Sequence, residues 1–151
     1  MSRLRKVYFL GLGSGLLLIL LSTPCFAHHI AVVVDKGNAT QNVSSAQLAR
    51  MIKGETKKWA DGKNVVLVLH DTPDEISTLA HLIKMSQADV RAMIEERKDS
   101  IVLKPTDADV IETVASTPGA IGMVEEHSIS GRVSVIKVDG KLPLEAGYLP
   151  H

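Results

Sequence analysis

Residues 65–69 read Val-Val-Leu-Val-Leu, an unbroken apolar and mostly β-branched run that stops abruptly at His70-Asp71-Thr72-Pro73-Asp74-Glu75. A strand with one wet face alternates apolar and polar residues. A run without alternation predicts a strand covered on both faces, as in a parallel sheet. Beyond the polar stretch, Ile76, Leu79, Leu82 and Ile83 recur at helical spacing. Strand, loop and helix in this order put the loop at a strand's carboxyl end. Open α/β sheets bind ligands there, because helix N-termini offer backbone N–H groups. The loop from His70 to Thr78 is therefore the candidate ligand loop.

The other segments fall around this unit. Ile30 to Val34 is a second buried strand, and a polar loop runs from Asp35 to Val43. Ser44 and Gln47 have capping-box spacing for a helix carrying Leu48, Met51 and Ile52 inward, with Gly54 as its stop. Trp59 sits in an exposed-looking turn and reads as a lid on the edge of the core. Ser86 starts a helix from about Gln87 to Arg97, and Ile101 to Leu103 is a short strand. Thr106 or Asp107 starts a helix burying Val110, Ile111, Val114 and Ala115. Ala120 to Val124 and Val133 to Val138 are the last strands, neither face of the latter being clearly polar, and the tail from Leu142 looks irregular. Gly119 and Gly122 read as turn and strand-packing glycines. The order predicts one α/β layered domain without internal repeats.

Residues 1–27 have the pattern of a cleaved signal peptide: Arg3, Arg5 and Lys6, an apolar stretch from Val7 to Leu21, a break at Pro24, and small residues before a cut after Ala27. Pro24 argues against lipidation at Cys25. Residues 28–151 then form one exported domain, periplasmic or secreted, with no stable membrane span after cleavage. It contains no cysteine, so no disulfide framework is expected. Losing Arg3, Arg5 and Lys6 from a chain of 17 basic and 17 acidic residues leaves a formal charge of −3. With no basic block, nucleic acid is not an expected partner.

Three stretches carry a resemblance. The first is Ile30-Ala-Val-Val-Val34 with Val43-Ser-Ser-Ala-Gln-Leu48 and Gly54…Trp59-Ala-Asp-Gly62. The second is the strand Val66 to Leu69 with its polar loop and helix. The third is Asp107-Ala-Asp-Val-Ile-Glu112…Thr117-Pro-Gly-Ala-Ile-Gly122. In this order and spacing the chain resembles the type II periplasmic binding proteins, specifically the phosphate-binding proteins of ABC importers, in a short single-lobe form. The resemblance implies an open sheet flanked by helices and a non-enzymatic role in binding phosphate or another small oxyanion for transport or sensing. It implies His70, Asp71, Asp74, Ser77 and Thr78 as ligand-binding residues. His70 stands where the family commonly has a basic residue and would be a donor, charged when protonated; Ser77 and Thr78 would be hydroxyl donors, and Asp74 an acceptor. It also implies that a single lobe binds weakly, dimerises across its open face or uses a partner protein as its second half, since lobe closure is how this class buries its anion.

The loop departs from the family pattern by its acids, Asp71, Asp74 and Glu75, and by having no glycine. Each acid adds roughly 1 kcal/mol of repulsion toward a dianion at surface dielectric. Two alternatives therefore stand beside solute binding: an interaction or assembly module, and a periplasmic metal-binding protein using His28, His29 or His70. Imidazole with Asp71, Asp74 and Glu75 suits a divalent ion, and an N-terminal amine with His28 and His29 suits copper. The plainer reading is a solvated loop whose Asp74 and Glu75 complement the helix dipole. No metal or other cofactor is assigned. His81, four residues after Ser77, reads as a surface or half-buried helix residue. No G-x-S-x-G elbow or phosphate-cradling glycine loop is present, so no enzymatic activity is expected.

Overall fold

The structure, a computed structural model, describes residues 29–150. The signal peptide expected over residues 1–27, and His28 as a copper ligand, lie outside the described residues. Among the described residues no helix is long and apolar enough to cross a membrane.

Among the described residues, seven strands and four α-helices follow one another: β1 (Ile30–Asp35), β2 (Asn42–Val43), α1 (Ser45–Lys53), β3 (Val66–His70), α2 (Pro73–Ile83), α3 (Gln87–Glu96), β4 (Ile101–Lys104), α4 (Asp107–Ser116), β5 (Ala120–Glu125), β6 (Val133–Val135) and β7 (Lys137–Val138). The main sheet has the order β4-β3-β5-β1-β6. β3 runs parallel to both neighbours, β4 and β5. β1 runs antiparallel to β5 and β6, so the sheet is mixed.

Helices cover both faces, which is why the central strands lack polar alternation. Leu67 and Leu69 point into a core shared with Leu48 and Ile52 of α1, Ile76 and Leu79 of α2, and Val90 and Ile94 of α3. Val68 points the other way, into a second core with Val110, Ile111 and Val114 of α4. That layer is tight: a Cβ on Gly122 would lie 2.7 Å from Val114 Cγ2 and 2.9 Å from Val110 Cγ1. The helix starts follow the sequence signals. Ser44 accepts from Gln47 N while Gln47 Oε1 accepts from Ser44 N, completing the capping box, and Ser86 Oγ accepts from Asp89 N.

At the amino ends of β3 and β5 a buried knot fixes the turn into β5. Trp59 is 5% exposed and donates from Nε1 to Gly119 O at 2.8 Å. Buried Asp35 accepts from Gly119 N at 3.1 Å. Gly119 has φ +84°, and a Cβ there would meet Asn64 O at 2.3 Å, so the position requires glycine. The tryptophan is thus a core residue tied to a backbone carbonyl.

One expectation about the C-terminal third is corrected. The stretch 133–138 is two strands, interrupted at Ile136, whose N–H donates to Val32 O at 3.1 Å. β6 joins the main sheet while β7 pairs in parallel with β2, a short strand within the stretch expected to be loop. A chain that changes sheets midway has no single wet face, which explains its unpatterned residues. The tail is also anchored. Tyr148 and Leu149 are buried, and the Tyr148 hydroxyl donates to Ile136 O at 2.9 Å and accepts from Val32 N at 3.0 Å.

Burial pushes the Tyr148 phenol up to about 12, the Val32 N–H opposing this more weakly. The native state therefore keeps its proton between about 10, the ordinary tyrosine value, and about 12. Stability falls as pH rises through that window. Tyr148→Phe should cost about 1–3 kcal/mol at neutral pH, by leaving a buried N–H and C=O short of a partner. Urea melts at pH 7 and in the alkaline window test both effects: the gap between the two proteins should narrow as pH rises.

Candidate functional site

The chain passes from β3 to β4 through α2 and α3 on one face, and from β4 to β5 through α4 on the other. The crossovers therefore diverge at the carboxyl end of β3, the topological switch point at which open α/β sheets form crevices. His70, the last residue of β3, lies there between the N-termini of α2 and α4.

Local sequence explains how α2 begins. Thr72 is the N-cap, its Oγ1 accepting from Glu75 N at 3.2 Å, and Pro73 occupies the first turn, where a missing N–H costs nothing. Glu75, three residues past the cap, folds back toward the strand. Its carboxylate accepts from His70 N at 3.2 and 3.3 Å, and the residue is 1% exposed. The solvated-loop reading is corrected for this residue: Asp74 is exposed, but Glu75 is sealed beneath the loop as the acceptor for a strand-end N–H. Burial pushes its carboxyl well above the ordinary range. The nearby Asp107 and Asp71 push the same way, against the His70 N–H.

From the opposite face α4 contributes Asp107, its first residue. Asp107 Oδ1 lies 2.9 Å from His70 Nδ1, and Oδ2 accepts from Glu125 N, the end of β5, at 2.9 Å. One carboxylate thus ties α4 to β3 and β5. His70 keeps 26% of its side chain exposed and Asp107 14%. Lys104 lies opposite His70 in the β3–β4 register, and Glu125 pairs with the exposed His127 at 3.1 Å.

The sequence-expected residues do not all converge. His70 is at the centre of the edge. Asp71 turns outward to Arg91 of α3 at 2.6 Å, so this acid carries its own counter-charge. Asp74 is exposed in the first turn of α2, Ser77 is half-buried, and Thr78 is buried in the second turn. His81 is exposed near the end of α2. Among the described residues no group of three or more His, Cys, Asp or Glu side chains is placed to hold a metal ion. Sequence reasoning missed Asp107 and Glu125 as edge residues. One signal could have found the first: Asp107 starts the helix after β4, the same strand-to-helix position that singled out the His70 loop after β3.

Glu75 makes stability depend on pH. Its native carboxyl holds a proton that the unfolded chain has released, so stability should fall as pH rises above about 4.5, the ordinary value, and level off above the native value. The greatest slope from this one group is about 1.4 kcal/mol per pH unit. Glu75→Gln keeps an acceptor for His70 N without a titrating proton. Chemical denaturation from pH 4 to 8 should show the decline in the parent and a flatter profile in the variant.

No protein-family model matches the sequence, and no curated protein matches it. Solved structures do match. An ABC-type phosphate transport receptor from Vibrio cholerae superposes with a TM-score of 0.61 at 15% identity, over 77% of this chain and 48% of that one. PstS from Borrelia burgdorferi gives 0.63 at 17%, over 77% and 49%. A phosphate-binding protein from Stenotrophomonas maltophilia gives 0.59 at 14%, over 77% and 40%. The chain spans less than half the length of each of these proteins. With helices on both faces of a mixed sheet, the chain shares the fold of the matched part of these phosphate-binding proteins.

Proposed function

We propose that the chain is an exported, non-catalytic solute-binding protein that takes a small oxyanion such as phosphate at the carboxyl edge of its sheet. The observation that carries this reading is the position of His70: the partly exposed end of a central strand, between two helix N-termini, in a fold shared with phosphate-binding proteins. Helix N-termini favour negative charge. A protonated His70 would donate from Nε2 to the anion, while Arg91 offsets Asp71 nearby. Asp74, Ser77 and Thr78 remain in the proposal as an acceptor and two hydroxyls. Burying an anion needs a second surface, which we assign to a second copy or a partner protein, with delivery to an importer or a sensor in the periplasm.

One observation favours a second reading. The strand-end N–H groups of His70 and Glu125, which could face an anion, already donate to Glu75 and Asp107. A lobe that satisfies these donors internally is also suited to serve as a partner-binding module.

Isothermal titration of the purified protein with phosphate and sulfate at pH 6 and pH 8 separates the two. Solute binding predicts heats with both anions and at least about a tenfold loss of affinity in His70→Ala, the worth of one charge-assisted hydrogen bond. Sulfate keeps its charge across this range, so a pH effect on sulfate comes from the protein. No heat with either anion would sink solute binding and leave the partner module.

A further inference from the structure

We propose that the groove between α1, the end of α2 and the C-terminal tail is a docking site for an acidic segment of a partner protein. It is a second surface, separate from the carboxyl edge, and it stands whether or not a solute binds there. The cavity has a volume of about 650 Å³. Ala46, Ala49, Arg50 and Lys53 line it from one face of α1, His81 to Lys84 from the end of α2, and Gly147 to Pro150 from the tail. α2 has 11 residues, so its last turn lies roughly 15 Å from the helix start beside His70.

The positive charge of the groove comes from three elements. Arg50 and Lys53 stand about one turn apart on α1, and His81 and Lys84 are spaced alike at the end of α2. The Lys141 ammonium rests over Gly147, 2.6 Å from where a Cβ would lie. Among the described residues none of these five side chains makes an ion pair or a hydrogen bond. By contrast Arg91 and Lys98, on α3 and just past it, are each paired with a carboxylate. Cations in the last turn of a helix complement its dipole, which accounts for Arg50, Lys53 and His81 taken singly. It does not account for Lys141, which is on no helix, or for the convergence of all five on one cavity. Of the two acids in the lining, Asp139 is engaged by the Ser45 N–H at 3.0 Å, and Glu55 lies past the end of α1. Like charges around one hollow repel, and an incoming carboxylate relieves them.

The rest of the lining selects a polypeptide. Ala49, Leu82 and Leu149 give the groove an apolar floor. A simple anion leaves that floor wet, and a flat membrane surface does not enter a concave site. The nine residues of α1 make the groove about 13 Å long, the reach of about four extended residues. A segment that alternates acidic and apolar side chains presents the apolar ones to the floor and the acids to the rim. Complementary charge then sets encounter rate and specificity.

The probe is a fluorescein-labelled peptide alternating glutamate and leucine, with a glutamine–leucine peptide as its uncharged counterpart. Fluorescence anisotropy with the purified protein should show binding of the glutamate peptide, weakening as salt rises, and at least about tenfold weaker binding of the glutamine peptide. Arg50→Glu with Lys84→Glu reverses two exposed charges. The pair should lower affinity for the glutamate peptide by at least about tenfold, while His70→Ala leaves it unchanged. Lys53→Glu with Lys141→Glu is an independent pair with the same expected loss, should the first fold poorly. No binding of the glutamate peptide, equal binding of the two peptides, charge-reversed pairs that bind as the parent does, or a loss in His70→Ala overturns the proposal. Sedimentation with phosphatidylglycerol vesicles tests a membrane as the occupant: vesicle binding without peptide binding overturns it as well. Phosphate titration reads the carboxyl edge and the peptide reads the groove, so failure of one reading is distinguishable from failure of the other.

Discussion

Burial of β3 on both faces is the constraint on which the rest of this structure depends. Leu67 and Leu69 are covered by the layer of α1, α2 and α3, and Val68 by α4. A strand enclosed in this way has polar groups accessible only at its ends. The two ends have been put to different uses. At the amino end, Trp59, Asp35 and Gly119 lock the turn that brings β5 alongside. At the carboxyl end His70 emerges between two helix starts. The placement of a candidate site at one edge follows from enclosing the middle.

The carboxyl edge is held by carboxylates rather than by a glycine-rich anion cradle. Glu75 and Asp107 arrive from helices on opposite faces and accept the N–H groups of His70 and Glu125. Each bond joins a helix N-terminus to the end of a strand, so each sets the spacing of the layers as well as satisfying a backbone donor. Burial raises the Glu75 carboxyl, and Asp107 and Asp71 nearby push it the same way. Stability at neutral pH is therefore somewhat lower than an apolar edge would allow. In exchange the edge holds a histidine in a defined orientation, and conserving orientation at the cost of stability is a common feature of binding sites.

Much of the fold was legible from local pattern. The run 65–69 gave a doubly covered strand, the spacing of Leu48, Met51 and Ile52 gave the buried stripe of α1, and Ser44 and Gln47 gave its cap. Glu75 shows where local reading stops. At the third position of a helix a carboxylate can face water or fold back on the preceding strand, and the same sequence spacing describes both. Asp107 is a similar case, readable as part of a helix start and silent about the imidazole beside it. The segment 133–138 failed for another reason: it changes sheets at Ile136, and periodicity presumes one surrounding throughout.

The sequence by itself determined the kinds of elements, their order, their caps and the loop in which His70 lies. Those features arise from contacts within a turn or two of chain, where spacing alone decides which side chains meet. Only the tertiary structure decided the strand order β4-β3-β5-β1-β6, the antiparallel sense of β1, and the docking of Tyr148 between Val32 and Ile136. It likewise decided that His70 meets Asp107, 37 residues away, and not its neighbour Asp71, which Arg91 draws outward. Such pairings depend on which strands become neighbours and which face each helix covers. That outcome is set by the packing of two cores at once, and no window of sequence contains both.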